Sequence, residues 1–159
     1  MVHAFRLIAA TGWSKHAPRL WAAVYLHDLA RTHDGVCHRH GADAMMKFET
    51  LPHVRELFRR GGVTDDDYAA IRVAVVHHSV PKELERGHPH WQLTSLLKDA
   101  DALDRVRISD LDPGYLRNPE ARAMVDFAER LFVATDRIIP TGDDHFEQLW
   151  PAALQLALQ

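Results

Sequence analysis

Cysteine is nearly absent. The 159 residues contain one, Cys37, so no disulfide can form within the chain. That fits a reducing compartment. No apolar run approaches the roughly 18 residues that suggest a membrane span. The first residues also lack the positive stretch, apolar run and small-residue cleavage site of a signal peptide. The expected location is the cytoplasm, without a membrane partner. Neither charge dominates: 19 Lys and Arg stand against 22 Asp and Glu, a net of -3. A surface that coats a nucleic-acid polymer is usually markedly basic, so no such partner is expected. Repeats, low-complexity tracts and linkers are missing as well. The expectation is one domain over residues 1–159, 47% hydrophobic and 26% charged, with a core of its own.

Helical signals recur along the chain, and the alternation typical of strands does not. A short apolar helix is predicted from His3 to Ala10, ended by Gly12. Pro18 suits a first helical turn, and a helix is predicted from there to about Ala30. A loop over 31–39 holds Thr32, Asp34 and Gly35. Helices at about Gly41 to Thr50 and Pro52 to Arg60 follow, the second closed by Gly61 and Gly62. Thr64 is the expected N-cap of a helix running to about His78, with acids 65–67 in its first turn. After a proline-containing loop, a helix is predicted from Trp91 to Ile108, then a turn at Asp112-Pro113-Gly114. Asn118 is expected to cap a helix from Pro119 to Ile138. A turn at Pro140 to Asp143 and a last helix from Asp144 to Leu158 complete an all-α bundle of seven or eight helices.

The unusual abundance is histidine, with 12 copies. Histidine is the commonest metal ligand and the natural acid or base near neutral pH. Three polar residues interrupt apolar helix faces. His27 continues Leu20, Ala23 and Val24; His78 continues Ile71, Ala74 and Val75; Asp101 continues Leu93 and Leu97. Burying such a group alone costs several kcal/mol as an order of magnitude. Three insertions on three helices point to a shared partner, and a metal ion would offset all of them. A single histidine on such a face is more often a hydrogen-bonded core residue, and a His–Asp structural pair would explain two of the three.

Three short segments occur in a familiar order: His3-Ala4-Phe5-Arg6-Leu7, Ala22-Ala23-Val24-Tyr25-Leu26-His27-Asp28-Leu29, and Lys98-Asp99-Ala100-Asp101-Ala102-Leu103-Asp104. Over residues 3–108 the chain resembles the HD-domain superfamily of metal-dependent phosphohydrolases. The resemblance implies an HD-type helical bundle, with residues 109–159 as a helical extension. It implies His3, His27, Asp28 and Asp101 as metal ligands. His40, in His40-Gly41, and His78, before Ser79, match the histidines that bind a second ion in two-metal members. His77 is the alternative to His78, and His16 the fallback for His3. Asp28 would be the bridging carboxylate.

The implied activity is hydrolysis of a phosphate ester or nucleotide-like small molecule by a metal-bound hydroxide. The ion would be one or two of manganese, iron, nickel, cobalt or zinc, which suit imidazole and carboxylate ligands. Arg105, Lys82, Arg6 and Lys98 are candidates to hold the substrate phosphate, Arg105 first because it lies one turn after Asp101. His33 and His38 sit in the loop after the His–Asp pair, and His88 and His90 flank Pro89 where a site entrance would lie. Two other readings fit the same residues: a di-iron oxygenase, and a non-catalytic module that binds a nucleotide or metabolite. Pairing into a homodimer through helices is left open.

Overall fold

A computed structural model of the chain describes residues 1–33, 35–138 and 145–158, the side chains of His145 and Phe146 excepted. Asp34, the expected turn at Pro140 to Asp143 and the expected helix start at Asp144 lie outside the described residues. The described residues form an all-helical bundle without strands. Its helices are α1 (Val2–Thr11), α2 (Ala17–Leu26), α3 (His40–Glu49), α4 (Pro52–Arg60), α5 (Asp67–His78), α6 (Trp91–Asp104), α7 (Pro119–Arg122), α8 (Val125–Asp136) and α9 (His145–Ala157). Short 3-10 turns cover Ser14–His16, Arg105–Ile108 and Pro113–Tyr115. None of these helices is long and apolar enough to cross a membrane.

α5 is the central element, packed against α2, α3 and α6. Its Ile71, Ala74 and Val75 are fully buried, at the spacing that puts them on one face. Leu20 and Leu26 of α2 and Leu93, Leu96, Leu97 and Leu103 of α6 meet the same core. Fully burying each such side chain stabilises by about 1.5–3 kcal/mol. α1 stops at Gly12, whose φ of 69° is the left-handed conformation that glycine adopts without strain.

Four local expectations are corrected. α2 ends at Leu26 rather than near Ala30, and residues 27–30 form a turn. The segment 119–138 is two helices, because the chain breaks at Ala123 and Met124. Thr64 does not cap α5 through its side chain. Instead the Asp67 carboxylate accepts the Thr64 backbone N–H at 2.8 Å and pairs with Arg19 at 2.5 Å. Asn118 precedes α7, but its amide donates to Asp99 Oδ2 at 2.8 Å instead of capping.

Asp99 is fully buried and explains that difference. Its two oxygens accept the backbone N–H groups of Arg117 and Asn118, both at 2.9 Å. This carboxylate fastens Arg117 and Asn118 to α6. Beside it, buried Lys98 donates to Glu83 Oε1 at 2.8 Å and to the Val80 carbonyl at 3.0 Å. Arg117 grips the same Glu83, with 2.7 Å from its Nη2. Burial alone would raise the Glu83 pKa, but Arg117 and Lys98 hold it down at about 2.

Candidate metal centre

The end of α2 sets the geometry. Successive residues of a continuing helix project about 100° apart. Because α2 stops at Leu26, His27 and Asp28 lie in its terminal turn and reach one centre. His27, Asp28 and His78 offer ligand atoms that all lie within 4.8 Å of one another, a group that could hold a metal ion. His78 comes from the end of α5.

Asp28 is the hub. Its Oδ2 lies 3.5 Å from His27 Nε2, and its Oδ1 lies 3.3 Å from His40 Nε2 and 3.8 Å from His78 Nε2. Asp101 joins through His27, with 3.7 Å between Oδ1 and Nε2. His40, at the start of α3, lies 2.8 Å from His78, measured between the two Nε2 atoms. The carboxylate therefore has two sides: His27 and Asp101 gather at one, His40 and His78 at the other.

Three imidazoles are anchored in the same way. His27 Nδ1 meets the Val24 carbonyl at 2.7 Å, His40 Nδ1 the Cys37 carbonyl at 2.5 Å, and His78 Nδ1 the Val75 carbonyl at 2.5 Å. A carbonyl only accepts, so each Nδ1 carries a proton, and in the neutral tautomer this fixes, Nε2 is the nitrogen left to act as a ligand. The Nε2 atoms of His40 and His78 face each other at 2.8 Å, a contact that needs either a shared proton or a metal ion between them. Two ligands of one ion with bonds of about 2.0–2.1 Å and angles of 90–109° sit roughly 2.9–3.4 Å apart. The distances across the two sides run from 2.8 to 3.8 Å. Asp28 Oδ1 is also buried without a hydrogen-bond partner. Together these features make a group that could hold a metal ion.

The charges agree. Burial pushes the Asp28 pKa up, but His78, His27, Arg31 and His40 outweigh it and hold the carboxyl well below its usual range. Asp101 is likewise held down, by His27 against the effect of burial. His27 is raised: burial opposes its proton, and Asp101, with Asp28, overcomes that. His40 is lowered by burial and by the neighbouring His78.

Other expected residues lie elsewhere. His3 is buried against Phe127 of α8, near Asp104, and no contact among the described residues joins it to the cluster. The group includes His78 and not His77, whose pKa is lowered by burial and by the charges of Lys98, His88 and Lys82. Arg105 pairs with Asp110, Lys98 with Glu83, and Arg6 donates to the Leu156 carbonyl while stacking on Phe127. Lys82 is exposed on the loop after α5. His16 packs at a tilt against Trp13, and His88 meets His90 edge to face. His38 joins the end of α5 through the Ser79 carbonyl, at 3.0 Å.

Arg31 was not anticipated. Its Nη1 lies 3.5 Å from Asp28 Oδ1, and its Nε donates to the His33 carbonyl at 3.0 Å. The available signal was its place three residues after Asp28, at the first residue of the expected loop. No protein-family model, curated protein or solved structure matches this chain.

Proposed function

We propose that the chain is a metal-dependent hydrolase of the HD type, acting on a phosphate ester or nucleotide-like small molecule. The observation that supports it best is the convergence of three carbonyl-anchored imidazoles on the ionised Asp28 carboxylate. His27, Asp28 and Asp101 would hold one ion, and Asp28, His40 and His78 a second. A divalent ion held there supplies Lewis acidity, making water a better nucleophile and a phosphoryl oxygen more electrophilic.

The chain's own groups supply the rest. The Val24, Cys37 and Val75 carbonyls fix the rings and their tautomers, as ligand histidines require. Arg31 places positive charge beside Asp28, where an oxyanion of the substrate would lie. The three histidines and two carboxylates suit manganese, iron, nickel, cobalt or zinc.

The test pairs elemental analysis with phosphate release from p-nitrophenyl phosphate and a nucleotide panel, for wild type and Asp28→Ala. Bound metal and turnover should both be lost in the variant. Full activity in Asp28→Ala refutes the assignment. Iron content with oxygen-dependent turnover replaces hydrolysis by oxygenation, and binding without turnover replaces it by a regulatory role.

A further inference from the structure

A cavity of about 640 Å³ lies between the start of α1, the end of α6, α8 and α9. The residues gathered around Asp28 do not line it. Its walls are mainly apolar, from Val106, Leu131, Phe132, Leu149, Trp150 and Ala153. Its volume falls within the roughly 300–1,000 Å³ typical of small-molecule sites. His3 also lines it, is only 6% exposed, and keeps its Nε2 buried without a hydrogen-bond partner. Such an orphaned polar atom is costly, and a ligand that hydrogen-bonds it recovers that cost.

The charges on the wall select against an ionic ligand. Asp104 already receives Arg107, with 2.8 Å between Nε and Oδ2. Asp136 is exposed to water. Burial holds His3 at about 4, so its ring is neutral near pH 7. The Thr135 hydroxyl is used by the Leu131 carbonyl, at 2.9 Å. The cations on the wall, Arg107 and the Met1 amino group, both lie beside Asp104, and burial lowers the pKa of that amino group; an ion seated among the apolar walls would lose its hydration with no counter-charge of its own.

We infer that this cavity is a second ligand site, for an uncharged, largely apolar small molecule whose hydroxyl group pairs with His3. The apolar body packs on Leu131, Phe132 and Trp150, and the hydroxyl supplies the partner that the imidazole lacks.

The probes are 2-naphthol and its hydroxyl-free counterpart, naphthalene. Binding is read from the Trp150 indole cross-peak in proton–nitrogen NMR spectra, identified with Trp150→Phe. In wild type, 2-naphthol should shift this peak saturably and bind about tenfold tighter than naphthalene, as one buried hydrogen bond implies. In His3→Phe the two probes should bind alike, with the metal content of the protein unchanged. Leu131→Trp should fill the cavity and abolish the shift; Ala153→Phe serves if that variant does not fold. The inference is overturned if 2-naphthol leaves the peak unmoved up to its solubility limit, or if both probes bind wild type equally. It is also overturned if the filled variant responds like wild type, or if His3→Phe loses its metal, which would make His3 a ligand.

Discussion

Gly41→Ala tests the packing that brings His40 to His78. A Cβ built on Gly41 would lie 2.1 Å from the Val75 carbonyl oxygen, where ordinary contact begins at about 3.4 Å. The difference, 3.4 - 2.1 = 1.3 Å, must be met by backbone movement, since Val75 O belongs to the α5 main chain. That same oxygen accepts His78 Nδ1 at 2.5 Å, and Gly41 follows His40 directly. Two effects compete. Removing glycine from a helix stabilises by about 0.5–1 kcal/mol. Overpacking of this kind costs about 1–3 kcal/mol, and the rigid obstacle places it at the upper end. Steric strain wins, with an expected net loss of about 2 kcal/mol. Urea denaturation measures it, with Gly87→Ala as a control, because a Cβ there meets nothing within 4 Å. Metal binding should weaken together with stability, since α3 is pushed away from α5. If Gly41→Ala is as stable as wild type and binds metal equally well, the close approach of these helices is not what sets the site.

His3 gives a pH prediction. Burial lowers its pKa from 6.5 to about 4, so the unfolded chain takes up a proton that the folded chain refuses between those values. This contribution is full above pH 6.5, is lost as pH falls toward 4, and amounts to about 3 kcal/mol from 2.5 units at about 1.36 kcal/mol each. His3→Phe should flatten the fall in urea midpoint over that window; an unchanged slope would assign it to other groups. Asp99→Ala should cost about 3–5 kcal/mol in thermal or urea unfolding, by stranding the donors of Arg117 and Asn118, and leave metal stoichiometry intact in the folded fraction. His78→Gln should lower bound metal by elemental analysis while His77→Gln should not; equal losses would contradict the orientation of α5.

The sequence stripes singled out three polar residues on apolar faces, and the structure brings them close together. A helix that buries one face must bring His27, His78 or Asp101 against its neighbours, and such groups need partners. Periodicity says that a residue faces inward, but not which helix it meets. His3 shows the limit: it lies on a buried face and is 6% exposed, yet α8 supplies its neighbour. The basic residues were harder still. Arg105, Lys98 and Arg6 found partners at Asp110, Glu83 and Leu156, and those choices depend on tertiary packing. The three carbonyl anchors were hidden for another reason. Each lies three residues before its histidine, and a backbone carbonyl leaves no mark in residue identity.

The last turns of α6 show how one short segment serves several ends. Residues four apart share a helix face, while those one, two or three apart point about 100°, 160° or 60° away from each other. Asp99 therefore faces Arg117 and Asn118, and Asp101 faces His27. Asp104 faces His3 and Arg107. Lys98 lies beneath the loop that follows His78, held to Val80 and Glu83. Three acids within six residues would repel one another in a single patch. Spread around the helix, each meets a donor or a cation of its own. Asp99 and Lys98 are buried in complete networks, which fixes the helix, whereas Asp101 has His27 at 3.7 Å and no backbone donor among the hydrogen bonds described. The buried pair positions the helix, and the less saturated carboxylate is the one that faces His27.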